Sequence, residues 1–197
     1  MTGSSRLQQV LALIDAENRQ DPNQEQADGQ TWPKEYLYSV RMSAKQAEFA
    51  PNASELLQIA CRAQHIKRWH IARASYPMDR AGYKRWRTDL GAFHGDFTAE
   101  LMAKVGYGDV EQQQIKDLLL KNQLKRDPQV QALEDVICLV FMDFYLADFA
   151  TRHSEEKLID IIQKTWGKMS PAGQAAALQL SLSPAVQVLV SKALNKN

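Results

Sequence analysis

The sequence offers no covalent or metallic staple. Its two cysteines, Cys61 and Cys138, form no CxxC pair and have no zinc-ligand spacing. Both lie in apolar, helical surroundings and read as buried small side chains in a reducing compartment. No apolar run approaches the roughly 20 residues needed to cross a bilayer. The longest, VICLVFM at residues 136–142, has the length of a buried helix segment. The N-terminal MTGSSRLQQ has no basic-then-apolar leader, so no secretion signal is expected and a cytoplasmic location is. Alternating β-branched runs closed by a tight-turn dipeptide are also missing. Charge of one sign is scarce: the formal net charge is +1, far from the basic balance of many nucleic-acid binders.

Helical spacing fills most of what remains. Serines at 4 and 5 precede a helix carrying Leu7, Val10, Leu11 and Ile14 on one face. Residues 21–33, DPNQEQADGQTWP, read as a polar loop. Further helices are expected at about 34–49, 54–70, 82–105, 109–120, 127–153 and 154–165, with restarts at Ser170-Pro171 and Ser183-Pro184, the last running 184–195. No linker or repeat divides the chain. The expectation is one compact all-α domain over residues 1–197, with about nine helices and no strand.

Chemistry concentrates in residues 62–87, RAQHIKRWHIARASYPMDRAGYKRWR. Arg62, Lys67, Arg68, Arg73, Arg80, Lys84, Arg85 and Arg87 face a single acid, Asp79, and aromatic rings are interleaved with them. Cations beside flat rings attract an anion with a planar or phosphorylated part. On a helix over 54–70, the residues Gln58, Arg62, His65 and Trp69 form one stripe. Such a stripe either grips an anion or is a solvated face with an aromatic lid. Pro77 holds Tyr76 extended, and that loop, with Trp86 and Arg87, can fold over a ligand or form a packed corner. Lys164, Trp166 and Lys168 repeat the theme. His70 is expected to be buried or half-buried, and His94 and His153 to be solvated.

The second focus is residues 129–149, QVQALEDVICLVFMDFYLADF, apolar nearly all round from Val136. Asp135 shares a face with Leu139 and Met142, so it should be buried and must be satisfied. Its candidate partners are His65, Arg62, Lys121, Lys125 or a cation.

The stretches LLQIACRAQHIKRWHIARASYPMDRAGYKRWR, LKRDPQVQALEDVICLVFM and KTWGKMS resemble a bacterial and fungal family catalogued as domain of unknown function 4202, over about Leu7 to Ala177. Some fungal members carry a glutamyl-tRNA synthetase label. The chain has no nucleotide-binding glycine loop, and KMSPAG at 168–173 is similar to a KMSKS loop only superficially. The order of helices around ELLQIACRAQHIKRW and LEDVICL is also similar to the HD phosphohydrolase superfamily. That resemblance implies an HD-like helical core and a divalent-metal site for phosphoester hydrolysis. It places Gln64-His65 at the His-Asp position, Asp135 at the final Asp, and Tyr38 or Ser39 at the early His. Glutamine and tyrosine are poor substitutes as metal ligands, so the metal motif is degenerate.

The sequence reading is thus a cationic cleft of Arg62, His65, Arg68, Trp69, Arg73, Tyr76, Arg80, Trp86, Arg87 and Lys164 above Glu134 and Asp135. His65, Glu134 and Asp135 are the catalytic candidates, and His65 and Asp135 the candidate ligands of a divalent metal. The expected partner is an anionic or phosphorylated small molecule, with a nucleotide or other phosphorylated small molecule as the substrate of a phosphohydrolase reaction. The alternatives are a non-catalytic anion-binding module and RNA binding. No membrane partner is expected.

Overall fold

A computed structural model describes residues 4–195. The chain divides into two compact units, with the boundary between Gln123 and Leu124. Ten α-helices and one two-stranded sheet form among the described residues. The all-α reading holds, and the helix number is close to that expected.

In the first unit, α1 (Arg6–Asn18) starts at a capping box in which Ser5 and Gln8 satisfy each other's backbone N–H groups. The polar segment after it is not the loop expected from its composition. It is a hairpin of β1 (Gln24–Ala27) and β2 (Gln30–Pro33). Asp28 and Gly29 both have positive φ, 52° and 72°, the backbone of the tight turn that matches strand twist. The Asp-Gly signal was present, but the strands around it hold a single β-branched residue, Thr31. Asp21 ties this hairpin to α2 (Lys34–Phe49). Its Oδ1 accepts from the Asn23 backbone N–H and its Oδ2 from that of Glu35, each at 2.9 Å.

Ser54 caps α3 (Glu55–Ala63) by accepting from the Leu57 N–H. The helix does not continue to His70, as its spacing suggests. Lys67 is left-handed (φ 48°), and tight turns join Ile66 to Ala63, Arg68 to His65 and His70 to Lys67. The cause lies on α1. The buried Asn18 Oδ1 accepts the Lys67 backbone N–H at 3.0 Å, and Glu17 pairs with the Lys67 ammonium at 3.0 Å. No Gly or Pro marks this stop, so only the tertiary partner ends the helix.

Asp79 caps α4 (Arg80–Lys104) through the Gly82 N–H. A short turn reverses the chain into α5 (Asp109–Leu120), whose N-cap is Gly108 and not Asp109. The two helices approach closely at Gly95: a Cβ there would lie 3.1 Å from the Lys116 Cα. Lys121, in the left-handed conformation, ends α5.

In the second unit, Asp127 and Pro128 open α6 (Pro128–Val140) as cap and first residue, as expected. The long helix expected to reach about His153 runs without a gap to Ala150, but it is not α-helical throughout. A π-turn over Phe141–Tyr145 leads into α7 (Leu146–Ala150). The remaining helices are α8 (Glu155–Lys168), α9 (Pro171–Ala177) and α10 (Pro184–Leu194), each following the serine expected at its start. Residues Leu133, Val136, Leu139 and Val140 are almost wholly buried, as the apolar pattern requires. Cys61 and Cys138 are buried free thiols, one in each unit.

Candidate functional site

The first unit contains a hollow of about 180 Å³ lined by residues from the α3 turn, α4 and the end of α5. His65 is one of them. Because α3 stops at Ala63, the turn directs His65 and Arg68 into the hollow while Arg62 points elsewhere. The His65 Nδ1 lies 3.0 Å from the Glu35 Oε2 on α2, and its Nε2 lies 3.0 Å from the Arg68 Nη1. Tyr38, one helical turn beyond Glu35, stacks on the imidazole at 3.9 Å between centroids. The guanidinium can only donate, so Nε2 is the acceptor and the proton of the neutral ring sits on Nδ1, facing Glu35.

The electrostatics agree with that tautomer. Burial holds His65 well below the ordinary imidazole range, and Arg68, Arg87, Lys121 and Lys34 push it the same way. Burial raises the Glu35 carboxyl to about 7, against the pull of Arg68 and Lys34. Arg68 itself is lowered by desolvation and lies over Trp86, 4.8 Å from the ring centroid. The hollow therefore joins a neutral, oriented imidazole to the cations Arg68, Arg87 and Lys121, with Leu90, Leu119 and Leu120 as an apolar wall. This set attracts an anion and offers one lone pair poised for proton transfer.

His94 also lines the hollow and corrects the expectation of a solvated residue: it is 4 % exposed in the middle of α4. Burial lowers it well below the ordinary imidazole range, and it hydrogen-bonds the Gln64 backbone. His70 departs in the opposite sense, being exposed and stacked on Phe93.

Of the residues singled out from sequence, His65, Arg68 and Arg87 come together, with Trp86 beneath Arg68. Trp86 also donates from its Nε1 to the Ile71 carbonyl at 2.9 Å. The others do not line the hollow. Arg62 is engaged by both oxygens of Asp15, at 2.6 and 2.7 Å. Arg73 donates to the carbonyls of Tyr76 and Pro77, and Tyr76 donates to Asp89. Trp69 is half-buried in a short 3-10 turn, and Arg80 is exposed at the start of α4.

Lys164, Glu134 and Asp135 belong to the second unit. Lys164 pairs with Asp160, and the buried Glu134 lies 3.4 Å from Lys168. Asp135 is buried, as expected, but its partners are not the cations anticipated. Its Oδ1 accepts from the Ser170 N–H at 2.8 Å and from Gln131, and its Oδ2 from the Ser170 hydroxyl at 2.6 Å. A Cβ on Gly173 would sit 2.5 Å from Oδ1, so the carboxylate is sealed as well as satisfied. It anchors the cap of α9.

The implied divalent metal does not fit these residues. No group of three or more His, Cys, Asp or Glu converges to hold one among the described residues. His65 is committed to Glu35 and Arg68, and three cations line the space beside it. Sequence reasoning passed over Glu35, whose partner lies 30 residues away, and Lys34. The signal for Glu35 was its place one helical turn before Tyr38.

No helix among the described residues is long and apolar enough to cross a membrane. No curated protein and no solved structure matches the chain. A family model does: it is described as a domain of unknown function (DUF4202) and matches residues 8–190. The chain belongs to that family.

Proposed function

We propose that the first unit binds a small phosphorylated or similarly anionic molecule and acts on it by general acid–base catalysis at His65. The observation that carries this reading is the Glu35–His65 pair, whose imidazole lines a hollow together with Arg68, Arg87 and Lys121. In the free protein Arg68 caps the His65 lone pair. An anion of higher charge density draws that guanidinium onto its own oxygens, because a charge-assisted bond is stronger than one to a neutral ring. Nε2 is then free to accept a proton from water attacking phosphorus. The same proton passes to the leaving oxygen as its P–O bond breaks. Glu35, ionised above about pH 7, holds the Nδ1–H and stabilises the transient imidazolium. Arg87 and Lys121 balance charge on the phosphoryl oxygens. No metal enters this scheme. The buried free thiols Cys61 and Cys138 suit a reducing, cytoplasmic setting.

The test is phosphate release from a panel of monoesters and anhydrides in the presence of a chelator, for the wild type and for His65→Ala. Turnover in the wild type that falls at least 100-fold in the variant is the expected result. Equal rates would remove His65 from the chemistry.

A non-catalytic anion-binding module is the second reading. It is favoured by one contact: Arg68 occupies the only unprotonated nitrogen of His65 in the free protein. Anions that raise the melting temperature without any turnover would select it. RNA binding draws less support, because Arg62, Lys67 and Arg73 are engaged within the protein.

A further inference from the structure

The first turns of α4 carry charge that the fold does not use. At helical spacing Arg80, Lys84, Arg87 and Gly91 fall on one side of the helix, and Arg87 and Gly91 line the hollow. The three cations are exposed. Among the described residues the Arg80 and Lys84 side chains make no ion pair or hydrogen bond, and Arg87 donates only to the Tyr83 hydroxyl, at 3.4 Å. Other surface cations of this unit are met: Arg6 by Glu55 and Glu111, Lys67 by Glu17, Lys116 by Asp96. The only acid among residues 80–91 is Asp89. It lies across the helix, where it accepts from Tyr76. The Tyr76–Pro77 loop covers that side: a Cβ on Gly82 would lie 2.1 Å from the Pro77 carbonyl oxygen. Arg85 belongs there too, beside Tyr76.

Local energetics disfavour this stripe. Arg80–Lys84 and Lys84–Arg87 are like charges four and three residues apart, which repel. Cations in the first turns of a helix also oppose its dipole. The capping carboxylate of Asp79 accepts the Gly82 N–H, and no other acid stands in the first turn. A row of cations kept at a cost, leading into a hollow that holds Arg68 and His65, makes a track for several negative charges in series. From the track and the hollow together we infer that the ligand is a run of consecutive phosphoryl groups. The terminal group sits in the hollow against Arg68 and Arg87, and those behind it follow Lys84 and Arg80 toward the start of α4. This rests on the anion-site reading above and names the substrate class for that site. The hollow, about 180 Å³, takes the terminal group and little more, while Arg80 and Arg87 stand about 10 Å apart along the helix axis. A monoester leaves Arg80 and Lys84 unmet; a triphosphate meets them with charge-assisted bonds. A free polyphosphate and a nucleoside triphosphate share this chemistry. Tyr83, 46 % exposed beside Arg87, is a ring on which only the second can stack.

Titration calorimetry of the intact protein at fixed ionic strength decides it. The probes are methyl phosphate, pyrophosphate, tripolyphosphate, ATP and a single-stranded oligonucleotide. Affinity should rise with each added phosphoryl group, and tripolyphosphate should bind about 10-fold or more tighter than methyl phosphate. Arg80→Ala combined with Lys84→Ala should cut that ratio to about threefold or less. Arg85→Ala removes an exposed charge from the other side of the helix and should leave the ratio intact. All three positions are exposed, so the variants keep the fold. ATP equal to tripolyphosphate assigns the phosphoryl run alone, and tighter ATP adds its base; either supports the inference. Tripolyphosphate within about twofold of methyl phosphate would overturn it and leave the anion site standing. So would a ratio unchanged in the double variant, or one lowered as much by Arg85→Ala. An oligonucleotide that binds tighter than tripolyphosphate would replace it with a nucleic-acid backbone. If no probe binds, both readings fall.

Discussion

Two buried carboxylates, Glu35 in the first unit and Asp135 in the second, have nearly equal burial and opposite circumstances. Asp135 receives a backbone N–H, a hydroxyl and an amide, and Gly173 leaves no space beside it. Glu35 has its His65 contact at the edge of an open hollow, and burial lifts it to about 7. A carboxylate whose charge is fully met by rigid donors is a structural fixture. One whose charge is only partly met titrates near neutrality and can take part in proton chemistry. Depth alone does not distinguish them; the supply of donors does.

The comparison can be broken most severely at His65. If Glu35 and His65 form the working pair, His65→Ala lowers turnover by about 10²–10⁴-fold, with a melting temperature close to that of the parent. The complementary change is in the second unit. Asp135→Ala leaves the Ser170 N–H and hydroxyl unpaired and should cost about 2–4 kcal/mol in denaturant unfolding. Binding of phosphate esters should be unaffected. An Asp135 variant that kept its stability but lost binding would reverse the roles assigned here.

Arginine substitutions sharpen the same contrast within one unit. Arg62→Ala removes a bidentate bond to Asp15 and should cost about 1–3 kcal/mol of stability while leaving phosphate affinity unchanged. Arg68→Ala should do the opposite, weakening phosphate esters about tenfold or more by calorimetry. It also uncovers the His65 Nε2.

The smallest effects are those of pH. Below about 6.5 the unfolded chain protonates His65 and His94 while the fold, which lowers both, does not. The unfolded state then binds more protons, and stability falls as pH falls. Glu35 acts in the opposite direction between 4.5 and about 7, where the fold holds the proton and the unfolded chain does not. Two histidines outweigh one carboxyl, so acidification from 6.5 to 4.5 should destabilise by a net of at most about 1.4 kcal/mol per pH unit. Glu35→Gln removes the opposing group and should steepen that slope. It should also abolish the rise of activity through pH 7 that reports ionisation of Glu35.

The capping serines, Asp127-Pro128 and the apolar stretch before the π-turn were legible because each is a local signal. Ser5, Ser54, Ser154 and Ser170 accept backbone N–H groups within their own first turn. The site was legible only in part. His65, Arg68 and Arg87 were visible as cations and an imidazole in one segment. Arg62, on the same apparent stripe, is taken by Asp15, 47 residues away. Glu35 offered only its place one turn before Tyr38 and His94 offered nothing, since the importance of each depends on a neighbour distant in sequence.

By itself, then, the sequence determined a helical protein, the places where most helices begin, the burial of its apolar faces and a segment rich in cations and rings. Those properties follow from side-chain periodicity and from hydrogen bonds made within a few residues. The tertiary structure decided where α3 stops, which arginines remain available and which carboxylate meets His65. Asn18 takes a backbone N–H across space and ends a helix that local propensity would have continued. The stop lies just before His65 and was not legible locally, because the energy of a long-range contact is absent from any local stretch of chain.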